Sequence, residues 1–76
     1  MDKINLVKMA NAIGAFFNAE PDRELAVAGI EQHIQKFWEP RMRSEIIDYL
    51  QQGGSDLMDI VAEAVRNLSD RQSQWH

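Results

Sequence analysis

Apolar residues recur along this chain at steps of three and four, a spacing that predicts helices and leaves no alternating segment to read as a strand. The first helix is expected from Lys3 to about Ala19, with Asp2 as its N-cap. Its apolar face is Leu6, Met9, Ala10, Ile13, Phe16 and Phe17. Pro21 suits the first turn of a second helix, with Asp22 and Glu24 at its positive end. That helix carries Leu25, Ala26, Gly29, Ile30, His33, Ile34 and Phe37 along one side. It cannot run far past Trp38, because Pro40 disfavours helical geometry at Glu39. Pro40 then opens a third helix with Met42, Ile46, Ile47 and Leu50 inward, ended by Gly53-Gly54. Ser55 is expected to cap a fourth, patterned by Leu57, Ile60, Val61, Ala64, Val65 and Leu68. The fold class is therefore all-α: a small four-helix domain over residues 1–68 with a tight Pro-marked joint between helices two and three. Residues 69–76 turn polar and read as a flexible tail holding Trp75 and His76.

Gly14 and Gly29 fall inside helices, where each costs about 1 kcal/mol relative to alanine. Gly14 follows Ala10, and Gly29 follows Ala26, so each helix has a small-residue stripe. Close packing of helix one on helix two accounts for both without any functional role.

Composition narrows the function classes. A chain of 76 residues buries only about 60% of the surface exposed when unfolded. Its core then supplies roughly 3–5 kcal/mol of net stability. There is no cysteine, which excludes disulfides, thiolate zinc sites and cysteine-held iron–sulfur clusters. A net charge of −4 argues against a nucleic-acid binder, whose footprint is a basic patch. No apolar run approaches the ~18 residues of a membrane span, and the Met1–Asn5 start lacks a signal-peptide core. The expectation is a soluble cytoplasmic protein with no membrane or nucleic-acid partner.

Catalytic chemistry finds little to use. The glycines form no phosphate loop. Threonine is absent, and Ser44, Ser55, Ser69 and Ser73 lie at helix starts or in the tail. His33, between Ile30, Ile34 and Phe37, reads as a core or half-buried histidine bonded to a carbonyl rather than a base. Asp56 with Asp59, and Glu20 with Asp22, are explained by helix dipoles. No catalytic, cofactor-binding or metal site is expected.

The segment from His33 to Arg43, His-Ile-Gln-Lys-Phe-Trp-Glu-Pro-Arg-Met-Arg, is less easily dismissed. Arg41 and Arg43 fall in the first turn of helix three, where cations are unfavourable by roughly 0.3–1 kcal/mol each. With the exposed N–H groups of that terminus they make an anchor for a partner's carboxylate or phosphate. The plain account is that Arg41 pairs with Glu45 or Glu39 and both arginines are solvated. Phe37 and Trp38 point about 100° apart on a helix. If Phe37 follows Ile30 and Ile34 inward, Trp38 lies at the edge, as an interface anchor or as a cap over Met42 and Ile46. The candidate partner-binding residues are Trp38, Arg41, Arg43, Lys36 and His33.

On these residues the chain resembles the delta subunit of the soluble molybdenum- or tungsten-containing NAD-dependent formate dehydrogenases. The likeness rests on Lys8-Met9-Ala10-Asn11 with Ile13, Phe16 and Phe17, then Ala28-Gly29-Ile30 and His33. It continues through Phe37-Trp38-Glu39-Pro40-Arg41-Met42-Arg43, Gly53-Gly54, and Leu57, Val61, Ala64-Val65 and Leu68. The Phe-Trp-x-Pro-x-Met-Arg run is its most specific element, and the polar residues after Leu68 have no counterpart in it. The resemblance implies a non-catalytic accessory subunit, itself without cofactors, in a cytoplasmic enzyme. Formate oxidation would belong to the alpha (large) subunit at its pyranopterin-bound metal, with electrons passing to NAD through the beta and gamma subunits. The resemblance leaves open a permanent structural part or a role in cofactor insertion. The leading expectation is binding to the alpha subunit, through Trp38, Arg41 and Arg43 with His33 nearby, that stabilises the assembled or cofactor-loaded complex. Two other classes stand beside it: an assembly chaperone for molybdenum-cofactor insertion, and a small helical DNA-binding regulator, which the acidic balance disfavours. Self-association in isolation is a lesser reading of the aromatics.

Overall fold

The computed structural model describes residues 2–73. Its element order is α1 (Lys3–Phe17), α2 (Arg23–Phe37), α3 (Pro40–Gln51) and α4 (Asp59–Ser73), with no strand among the described residues. Helix α1 starts where the sequence predicts: Asp2 is extended and its Oδ1 accepts from the Asn5 N–H at 2.9 Å. It ends at Phe17, two residues before Ala19, with the Asn18 N–H bonding to the Gly14 carbonyl at 2.8 Å. Asp22 caps α2 through the Glu24 N–H at 2.9 Å, so Pro21 stands ahead of the cap rather than in the first turn. Pro40 takes the first position of α3, and Glu39 before it is extended, at φ −68° and ψ 153°.

The inward faces differ from the predicted stripes in one systematic way. On α2 the buried residues are Ala26, Val27, Ile30, Glu31 and Ile34, a line rotated away from Leu25 and Phe37. Leu25 is 59% exposed and Phe37 71% exposed. On α1, Leu6, Val7, Ala10 and Gly14 are buried while Met9 and Phe16 face out. Helix α4 lies at the centre, with Val61, Ala64 and Val65 fully enclosed, and it packs on the other three helices, most extensively on α2. From α3 come Ile46 and Ile47, while Met42 and Leu50, also expected inward, are only partly buried at the margin.

The α3–α4 connection corrects a second expectation. Gly53 (φ 131°) and Gly54 (φ 58°) stop α3 in the left-handed region that glycine tolerates. Ser55 does not cap α4, which begins four residues later at Asp59. A turn closed from the Leu57 N–H to the Gly54 carbonyl at 3.1 Å intervenes, and it still buries Leu57. Asn11 of α1 secures this turn from outside. Its Oδ1 accepts from the Met58 N–H at 3.0 Å and its Nδ2 donates to the Asp56 carbonyl at 2.8 Å. At the other end α4 runs to Ser73, beyond Ser69 where the polar tail was expected to begin. Trp75 and His76 lie outside the described residues.

The glycines divide between two partners. A Cβ on Gly29 would overlap the Phe17 ring, so this glycine does admit helix one onto helix two. A Cβ on Gly14 would overlap Val61 Cγ2 and come within 3.1 Å of Met58 Sδ, so Gly14 serves the approach of α4, not α2.

Candidate partner-binding surface

At the α2–α3 joint, two of the expected partner-binding residues are occupied within the fold. Trp38 is the C-cap of α2, with φ −90° and ψ 140°. Leaving helical geometry turns its side chain into the core, where it is 5% exposed beside Ile34 and Ile46 in one cluster. Phe37, the last helical residue, keeps the direction of the His33 row and stays outside. The expected assignment of Phe37 to the core and Trp38 to its edge is therefore reversed. Arg43 does not stand free either: its Nη1 donates to the Trp38 carbonyl at 2.9 Å and to the Gln35 carbonyl at 3.1 Å. These are among the carbonyls that the end of α2 leaves without intrahelical partners. A cation at the negative end of α2 is well placed, and this offsets its poor position at the start of α3.

Arg41 and Lys36 remain outward. Arg41 is exposed, and among the described residues it pairs with neither Glu45 nor Glu39. Glu39 makes no side-chain cap to α3, so Arg41 stands beside an uncapped helix start. Lys36 is exposed in the last turn of α2, next to Phe37.

His33 is half-buried, as its apolar neighbours suggested, but no carbonyl partner is found for it among the described residues. Its ring packs on Phe37 instead, with centroids 4.8 Å apart and planes tilted by 46°. On its other side it lines an apolar depression of about 240 Å³ with Ile13, Phe16 and Phe17. Phe16 and Phe17 meet edge to face at 5.2 Å, and Phe16 is 76% exposed. The rings of Phe16, Phe17, His33 and Phe37 thus form one continuous surface across α1 and α2, floored by Gly29 under Phe17. Sequence reasoning missed Phe16 and Phe37 as exposed. The usable signals were the Phe16-Phe17 pair, of which one ring had to face out, and Gly29 one turn before His33.

Elsewhere two charged pairs link α2 to α4. Glu31 is 4% exposed, and its Oε2 accepts from Asn67 Nδ2 at 3.0 Å. Arg71 Nη2 lies 3.1 Å from Oε1, an ion-pair distance without the alignment of a hydrogen bond. Arg23 pairs with Glu63 at 3.1 Å on the surface. Among the described residues no group of three or more histidines or acids could hold a metal ion. No helix there is long and apolar enough to cross a membrane.

Comparison with known proteins adds one finding. No curated protein and no solved structure matches the chain. Residues 5–65, which span all of α2 and α3 and most of α1, match the family described as NADH-dependent formate dehydrogenase delta subunit (FdsD). With that much of its length matched, the chain belongs to the formate dehydrogenase delta subunit family.

Proposed function

We propose that this protein is a non-catalytic, cytoplasmic accessory subunit of NAD-dependent formate dehydrogenase. It binds the large catalytic subunit, and through it the beta and gamma subunits, and stabilises the assembled or cofactor-loaded enzyme. The observation that carries the reading is the exposed ring surface of Phe16, His33 and Phe37 in a member of the delta subunit family. A large exposed aromatic face on so small a domain is costly to solubility and is of the kind that marks interfaces. Lys36 adds a cation beside Phe37 and Arg41 another across the joint, while Trp38 and Arg43 hold that joint. A protein that binds only the assembled state shifts the assembly equilibrium by mass action and needs no chemistry of its own.

The test is co-purification with a tagged large subunit. A Phe16→Ser, Phe37→Ser, Arg41→Glu variant should keep its helical circular dichroism and fail to co-purify. Full incorporation of that folded variant would refute the reading. The uncapped start of α3 beside Arg41 is the one observation favouring an assembly chaperone that holds the phosphates of the pterin dinucleotide. Titration with the isolated cofactor, and the protein's presence in or absence from mature enzyme, separate that role from a resident subunit's.

A further inference from the structure

A groove of about 320 Å³ lies on another side of the molecule, between α1 and the end of α3. Its α1 wall carries Lys3, Ile4, Val7 and Lys8, and its far wall Tyr49 and Asp56. At 100° per residue Ile4 stands about 180° around α1 from Ile13, so this groove does not belong to the aromatic surface. Ile4 is 69% exposed, a branched apolar side chain left in water at the groove's edge.

The charges of this groove run against those of the chain. In a protein of net charge −4, two ammonium groups flank Ile4. Neither Lys3 nor Lys8 has an ion pair among the described residues. Two acids lie nearby, and neither is within ion-pair distance of Lys3 or Lys8. Asp2 caps α1, accepting from the Asn5 N–H at 2.9 Å and from Asn5 Nδ2 at 3.4 Å. Asp56, across the groove, accepts from the Tyr49 hydroxyl at 3.2 Å. The outward face of the α1 wall is thus apolar at its centre and cationic on both sides. Its complement is an apolar side chain set among carboxylates.

We propose that this groove docks an acidic segment of a protein partner, one apolar side chain covering Ile4 and flanking carboxylates pairing with Lys3 and Lys8. The proposal rests on the accessory-subunit reading, since the segment is sought within the assembled enzyme. The test places the photo-crosslinker benzoylphenylalanine at position 4 of the subunit in the assembled complex, with the same probe at position 37 in a parallel sample. The captured peptides are then identified by mass spectrometry. The position-4 probe should capture a peptide bearing Asp or Glu next to the cross-linked residue. Lys3→Glu with Lys8→Glu should lower its yield about five- to tenfold, as expected for two exposed ion pairs replaced by like charges. An acid at position 3 suits the first turn of α1, and glutamate at position 8 is as good a helix former as lysine, so these changes leave the helix intact. Capture from position 37 alone, a captured peptide lacking acids, or a yield indifferent to the charge reversal would each overturn the groove assignment while leaving the accessory-subunit reading standing. Capture from neither position would likewise overturn the groove assignment, whereas failure of the unsubstituted subunit to enter the assembled complex would overturn both.

Discussion

Alanine at Trp38 and alanine at Phe37 should have opposite consequences, and the contrast tests the geometry of the α2–α3 joint. Trp38 is 5% exposed and Phe37 71%. Truncating a large buried aromatic costs about 3–5 kcal/mol, transfer and cavity terms together. The net stability expected of a domain this size is roughly 3–5 kcal/mol. Trp38→Ala should therefore leave the protein largely unfolded at room temperature, whereas Phe37→Ala, away from the core, should change stability by no more than about 0.5 kcal/mol. At roughly 4–8 °C per kcal/mol, that limits the Phe37→Ala change in Tm to about 4 °C. Thermal and urea unfolding followed by far-ultraviolet circular dichroism measure both variants directly. A folded Trp38→Ala protein with near-native Tm, or a Phe37→Ala protein that melts much earlier, would refute the argument. The same numbers rule out Trp38→Ala as a probe of docking, because it removes the fold along with any interface.

Two further outcomes follow from packing and capping. Gly14→Leu drives a side chain into Val61 and Met58, and should abolish cooperative unfolding; a Tm change of only a few degrees would mean that α4 does not pack against α1 at Gly14. Arg43→Ala removes the donor to the Trp38 and Gln35 carbonyls and should lower stability by about 1–3 kcal/mol in urea titration, with Arg43→Gln restoring only part of it; an unchanged midpoint would show that these two bonds add nothing.

Much of the architecture was legible because local signals agreed with one another. Asp2, Pro40 and Gly53-Gly54 set helix boundaries by mechanisms that act within a few residues, and each boundary falls where those residues put it. Ser55 failed for a non-local reason. A serine after two glycines is a sound N-cap in isolation, but Leu57 is drawn into the core and Asn11 holds the Asp56 carbonyl and the Met58 N–H from forty-five or more residues away in sequence. Glu31 escaped notice similarly. A charged residue on the true buried line of α2 is tolerable only because Asn67 and Arg71 on α4 reach it. Without those partners in view, the more apolar line through Leu25 and Phe37 looked like the inward one.

The candidate site was displaced for the same kind of reason, and the displacement changes what its most specific motif does. Projecting Phe37 and Trp38 at 100° assumes that the helix continues through both, yet Glu39-Pro40 holds the backbone extended and ends α2 at Phe37. Trp38 then swings inward, and Arg43 reaches back across the joint to its carbonyl. Within Phe-Trp-x-Pro-x-Met-Arg, the tryptophan, proline and final arginine build the corner, with Met42 at the margin of the core. Phe37 and Arg41 are among the positions the corner leaves exposed, and under the proposed function they are the ones offered to another molecule. Phe37 gains area from His33 on its own helix and, through His33, from Phe16 and Phe17 on α1. The proposed interface therefore lies not at the joint but on the two-helix face beside it. The joint matters to that face by fixing where α2 stops, and so which aromatic ring turns inward and which stays in water.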